Sequence, residues 1–330
     1  MAVYNPSGAG SVHIDRALTN ISLGWPNANL AGSALFPAVN VQKQTDKYYV
    51  FGREGWLPES DLRAPGTMAN EVTGAQLSTD QYYASEHSLQ IAVTDEERAN
   101  ADDPISPDRD GTNIVTSKIM LGRERTIQTL VTTTANYASG LSTTLSGTSQ
   151  WSDFANSDPI NDLRTGKIAV NARIFTDPNV AVIPYQVMSK LEDHPDFLER
   201  IKYSERGIFS PDLLSAILGF DRVLVPGVGI NTANLGQPAS LGYLWGKDVV
   251  LAYVPAAPGL KIPAFGYEFA WAGSGGGGPQ YVDRWREDRR KSDLVRVCRY
   301  YDLKLVAQGD AGTSDAGKSI AGYVIKAAVA

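Results

Sequence analysis

The chain has 330 residues, 43% of them hydrophobic and 20% charged, with a formal net charge of −6. That composition is globular, the length suits one to three domains, and the acidity argues against a chain whose main task is to wrap nucleic acid. A single cysteine, Cys298, excludes an intrachain disulfide and a cysteine-rich zinc site, and no apolar run approaches the ~20 residues that span a bilayer.

Residues 1–40 are rich in Gly, Pro, Asn and Ser, with scattered apolar positions at Ile14, Leu18, Ile21, Leu23 and Trp25. They read as an extended arm that needs another surface to lie on. The opening residues carry no cationic end and no apolar core, so they do not read as a secretory signal. Residues 41–93 read as one long hairpin. Its outgoing leg, 47–51, is aromatic and β-branched, as strands prefer. Its returning leg, 80–93, carries Tyr82, Tyr83, Leu89, Ile91 and Val93 with period-two alternation toward its end. Between the legs, 52–74 is broken by Gly55, Pro58, Pro65 and Gly66 and is polar and charged. It exceeds the roughly 15 residues usual for a structureless connection, and we read it as a projecting loop.

Thr94-Asp95-Glu96-Glu97 is a capping box opening a short helix that stops before Pro104. A second helix is predicted from Asp110 or Thr112 to about Asn136, some 35–40 Å long at 1.5 Å per residue. Its apolar positions Ile114, Ile119, Ile127, Leu130 and Val131 fit one face imperfectly. Residues 140–150 form a Ser/Thr/Gly linker. Asp158-Pro159 opens another helix, with proline at the favoured first position. A buried-type strand at 179–184 leads into a helix over 184–191 that His194-Pro195 breaks. A helix over 211–219 ends on glycine, and strands follow at 222–226 and 245–254. This alternation over 158–254 argues for a compact α/β unit. Residues 273–278 with Pro279 read as a glycine-rich turn and hairpin tip. Then come a charged strand over 280–291, a long strand over 293–306, a small-residue turn over 309–317 and a last strand over 322–329.

Catalytic grammar is missing. His13, His87 and His194 have no partner at zinc-ligand spacing. Cys298 sits in an alternating strand as a plain strand residue. Gly227-Val228-Gly229 lacks the third glycine of a dinucleotide loop and any Gly-Lys-Ser/Thr. The densest basic cluster, Arg284, Arg286, Arg289, Arg290 and Lys291, is interleaved with Asp283, Glu287 and Asp288. Mixed signs suit either pairing with a neighbouring subunit or a charged edge strand guarded against random pairing.

Arm, long hairpin, long helix, central α/β region and β-rich closing segment together resemble the major capsid proteins of tailed bacteriophages, the Hong Kong 97-type fold. Residues 179–195, 213–226, 244–253 and 284–329 carry the likeness. The resemblance implies an α+β chain with an N-terminal arm (1–40), a hairpin E-loop (41–93) and a peripheral domain (94–157 and 281–330). The last would hold the spine helix over 112–138, and 158–280 would form the axial domain. It implies hexamers and pentamers of the chain itself in an icosahedral shell around double-stranded DNA, bound without sequence readout. Portal and scaffolding proteins would be partners, with decoration proteins as an option, and no membrane, cofactor, metal or catalytic residue is implied. The virion capsid would be its place, and the host cytoplasm that of assembly. A scaffold is expected as a separate chain. Cross-linking through the loop is not expected, because Lys43 and Lys47 lie at its base. Candidate assembly residues are Trp25, Phe36, Arg53, Glu54, Trp56 and Arg63 in arm and loop, with Arg284, Arg286 and Arg289 in the charged strand. The alternatives are an encapsulin-like nanocompartment shell and an α/β enzyme.

Overall fold

A computed structural model of the chain describes residues 13–14, 30–53, 56–72, 77–101, 106–201, 210–234, 236–259, 262–273, 278–310 and 312–330. The readings at Trp25 and Glu54 lie outside the described residues. In the arm, β1 (His13–Ile14) is a two-residue strand. A one-turn helix, α1 (Gly32–Leu35), precedes β2 (Ala38–Val41). Phe36 between them is a core residue at 1% exposure, edge-on to Phe265. Burying such a side chain stabilises by about 1.5–3 kcal/mol, and here its own chain supplies the burial, which corrects its reading as an interface residue.

The hairpin is shorter than the sequence suggests. β3 (Thr45–Phe51) pairs with β4 (Leu77–Tyr83) from Thr45↔Tyr83 to Phe51↔Leu77. Buried Ala84 then closes it, donating its N–H to the Gln44 carbonyl at 2.8 Å. β5 (Ser85–Thr94) departs to another sheet. The expected single returning leg is therefore two strands, split at a residue with no breaker signature.

The capping box forms as read: Thr94 Oγ1 accepts from the Glu97 N–H at 3.2 Å and Glu97 from the Thr94 N–H at 3.0 Å, opening α2 (Asp95–Ala99). The long helix, α3 (Pro107–Thr132), starts earlier than predicted because Pro107 takes the first-turn position that proline tolerates. Its 26 residues span about 39 Å. Its threonines 112, 116, 126, 129 and 132 bond back to the carbonyl four residues earlier, which keeps their hydroxyls satisfied inside a helix. Ile119, Ile127 and Val131 are buried, whereas Ile114 is 48% exposed. The stripe is imperfect because Arg123 and Glu124 occupy part of the buried face.

The second half builds a five-stranded sheet in the order Ser142–Thr144, Gly322–Lys326, Val249–Ala252, Val180–Val182, Arg222–Leu224. β6 (Ser142–Thr144) lies in the predicted linker, anchored by buried Leu141 and Leu145. α4 (Pro159–Ile174) is capped by Asp158, which accepts from the Asn161 N–H at 2.9 Å. β7 (Val180–Val182) is wholly buried, and α5 (Tyr185–Leu191) and α6 (Pro195–Ile201) follow. α7 (Pro211–Leu218) is capped by Ser210 and closes on Gly219 at φ +68°, the left-handed position that favours glycine. β8 (Arg222–Leu224), a small ribbon of β9 (Gly229–Asn231) with β10 (Leu241–Tyr243), and β11 (Val249–Ala252) come next.

The six-stranded sheet is organised around one strand. β12 (Gly266–Trp271) and β13 (Gln280–Glu287) precede β14 (Ser292–Leu305), and β15 (Gly322–Lys326) ends the elements. β5 runs along one edge of β14, from Ser292↔Thr94 to Tyr301↔Ser85. β12 and β13 both lie antiparallel on the opposite edge, with Ala270 facing Tyr301 and Gln280 facing Arg299. They therefore point the same way, one after the other. β12 and β13 are thus not the two legs of a hairpin, which corrects the reading of 273–278 as a hairpin tip, and 274–277 themselves lie outside the described residues. β2 adds in parallel to β12, and β1 covers the outer edge of β13.

α3 packs on this sheet through Val115 and Ile119 against Val282, Val295 and Val297. The root of the hairpin packs through Tyr48 and Tyr82 against Phe269 and Tyr267. The largest core joins the α1 residues, the C-terminal half of α3 and the five-stranded sheet. Sheet membership cuts across the boundaries read from the sequence: β6 and β15 belong with β7, β8 and β11, while β12 belongs with β13 and β14.

Candidate assembly surfaces

The hairpin has a rigid root and an exposed end. Tyr48 and Tyr82 both stack on Phe269, at ring-centroid distances of 5.3 and 4.7 Å. Tyr48 donates its hydroxyl to Asp80 at 2.6 Å, and burial together with that carboxylate pushes the phenol well above its ordinary range. Beyond the root, every residue from 56 to 72 is exposed, including Leu57, Leu62 at 84%, Met68 at 88% and Val72. Two contacts hold the start of this loop to the body. Arg53 makes a forked pair with Asp310, its NH2 at 2.5 Å, and Trp56 lies edge-on to Phe175. Trp56 is thus half covered by its own chain, whereas Arg63 is exposed. The exposed apolar side chains are spaced along an otherwise polar loop.

The charged strand is largely satisfied internally. Arg284 pairs with Asp293 at 2.6 Å, and Arg286 with both oxygens of Asp95 at 2.6 Å. Arg98 bridges Asp108 at 2.7 Å and Asp293 at 2.9 Å. The Arg286 hydrogen bonds hold the Asp95 carboxyl below its usual range. Burial works against ionised Asp293, but its bond to Arg284 and the charge of Arg98 still hold it low. The network ties the starts of α2 and α3 to β13 and β14. Arg289, in the exposed turn Asp288–Arg290, stands outward.

Sequence reasoning missed the most buried charges. Arg123, 2% exposed, donates to Glu268, 0% exposed, through Nε at 2.8 Å and through NH2. Arg299 donates to the other Glu268 oxygen at 2.6 Å. Glu124 accepts from the backbone N–H groups of Ala31 and Gly32 and from the Trp245 indole. Charges inside an amphipathic pattern read as solvent-facing, and the only hint was the imperfect apolar face.

The structure also brings Ser157 to His194, with Oγ and Nε2 3.1 Å apart and an Asp196 carboxylate oxygen 3.6 Å from Nδ1. The protons are placed wrongly for nucleophilic catalysis. Nδ1 accepts from the Asp196 backbone N–H, so Nε2 carries the ring proton and donates to Ser157, whose own proton goes to the Asp153 carbonyl at 2.7 Å. The ring is buried between Phe154 and Phe197. Burial raises the Cys298 thiol to about 12, far from a reactive thiolate. Among the described residues no cluster of His, Cys, Asp or Glu could hold a metal, and no helix is long and apolar enough to cross a membrane. Two clefts open on the described surface, one of about 850 Å³ between α3 and β5 and one of about 860 Å³, mainly apolar, under the hairpin root.

No known family profile matches the chain. It is 30% identical over 314 residues to the major capsid protein of Burkholderia phage BcepMu, an alignment covering 94% of this chain and 96% of that one. The chain belongs to the phage major capsid protein family. The crystal structure of a phage-related protein from Bordetella bronchiseptica RB50 superposes on this capsid protein with a TM-score of 0.72 at 25% identity, covering 96% and 98% of the two chains. The mature capsid subunit of bacteriophage PhiM1 gives a TM-score of 0.56 at 10% identity over 99% of this chain and 91% of that one. That likeness concerns the fold alone, and the fold is the Hong Kong 97-type expected from the order of parts.

Proposed function

We propose that this capsid protein gathers into hexamers and pentamers that close an icosahedral shell around double-stranded DNA, assembling in the host cytoplasm with portal and scaffolding proteins as partners. Its work is structural, and the Ser157–His194 pair and Cys298 are not set up as activated nucleophiles. One observation carries the reading beyond family membership. The loop 56–72 exposes its apolar side chains along its whole length while its root is stacked on the body, so a firm lever presents a surface that only another copy would cover. The net charge of −6 keeps the subunit from clinging to a packaged genome. The six-stranded sheet with α3 is proposed as the peripheral domain. The five-stranded sheet with α4 to α7 is proposed as the axial domain, extended by β6 and β15. Negative-stain electron microscopy of the purified protein, with a scaffold supplied, tests the proposal. Closed polyhedral particles are expected, and only small oligomers at high concentration would overturn it.

A further inference from the structure

One short stem, made of α1, β2 and the turn that follows, leads into the hairpin from Thr45. Consecutive residues of α3 hold that stem at the start of α1 and, through Glu268, where α1 gives way to β2. Glu124 accepts from the Ala31 N–H at 2.9 Å and from the Gly32 N–H at 3.1 and 3.0 Å through its two oxygens, supplying the cap that α1 lacks locally. The Trp245 indole N–H, donating to Glu124 at 2.9 Å, fixes the carboxylate from the far side. Arg123 reaches Ser33 Oγ at 3.3 Å and holds Glu268, whose backbone N–H donates to the Pro37 carbonyl at 3.1 Å where β2 joins β12. The fit is tight: a Cβ on Gly32 would come within 2.5 Å of the Glu124 carboxylate and of Ile127.

We infer that Glu124 is a positioning residue that couples the segment 31–36 to the hairpin, so that releasing its carboxylate loosens both together. This goes beyond the shell reading and does not depend on it, because the test uses the unassembled full-length subunit. Hydrogen exchange is compared between wild type and Glu124→Gln, in which an NH₂ group faces the Gly32 N–H. Exchange is expected to rise about tenfold or more over 31–36 and about threefold over β3, with β11 and β15 unchanged. No rise, or a rise confined to 31–36, would overturn the coupling. Should Glu124→Gln not fold, Trp245→Phe removes the indole donor together with part of a buried ring, and unchanged exchange in β15 separates the lost hydrogen bond from a general loosening of the core. This variant is expected to raise exchange in the same two segments about threefold, and an unchanged rate in either would overturn the inference.

Discussion

Trp56 meets Phe175 edge-on, ring centroids 4.8 Å apart, and Phe175 holds a left-handed φ of 50° to meet it. The position closes α4, where glycine is the residue of least strain. An aromatic side chain kept in a strained, 66% exposed position, with the loop's first aromatic lying on it, marks the place where the loop docks on its own chain. Phe175→Gly relieves the backbone and removes the ring. These effects oppose one another, and unfolding free energy is expected to change by less than about 1 kcal/mol. Tryptic cleavage at Arg63 is expected to speed up severalfold, and an unchanged rate would show that the contact does not hold the loop.

Assembly should depend on the loop more than folding does. Trp56→Ala combined with Arg63→Ala is expected to abolish particles in light scattering while leaving the far-ultraviolet dichroism of the subunit intact. Both side chains lie on the exposed segment, and neither belongs to the core. Particles at wild-type yield would remove the loop from the essential contacts.

The buried charges make the opposite prediction. Arg123→Met leaves Glu268 with Arg299 alone in a site closed to water. Leaving a buried charge wholly uncompensated costs about 3–5 kcal/mol; Arg299 still compensates Glu268 in part, so a loss of about 2–3 kcal/mol and a lower urea midpoint are expected. A loss below about 1 kcal/mol would mean that the pair is solvated.

Acid should weaken the subunit before its carboxylates titrate. Burial depresses the His194 pKa from its ordinary 6.5, against the opposing pull of Asp196 and Asp158. The unfolded chain therefore binds a proton near pH 6.5 that the folded chain refuses. Stability is full above that pH and falls as pH drops toward the folded value, by up to about 1.4 kcal/mol per pH unit. His194→Gln should flatten the slope between pH 7 and pH 5 in urea titrations. An unaltered slope would place the effect elsewhere, His87 being the other histidine with a depressed pKa.

Much of the fold was legible because local chemistry and tertiary structure agree. The Thr94–Glu97 box, the Asp158-Pro159 start, the closing Gly219 and the long strand Ser292–Leu305 stand as their residues suggest. What was hidden depends on distant partners. Nothing near Ala84 announces that the hairpin stops there, because the stop comes from β14 claiming β5. Thr143 sits in a strand only because Ile325 lies beside it. Arg123 and Glu124 are inside only because Glu268, Gly32 and Trp245 arrive to meet them. The loop was legible as a projecting segment, but Arg284 and Arg286 were not legible as internally paired, since Asp95 is 191 residues from Arg286.

The in-line arrangement of β12 and β13 lets β14 fix the register on each side of the glycine-rich interval separately. Ala270 and Gln280 face partner residues only two positions apart, so the interval between them adds or loses residues without moving either register. Each copy thus carries a natural grafting point, where a foreign peptide would add mass to every position of the particle while the strands on both sides stay in place.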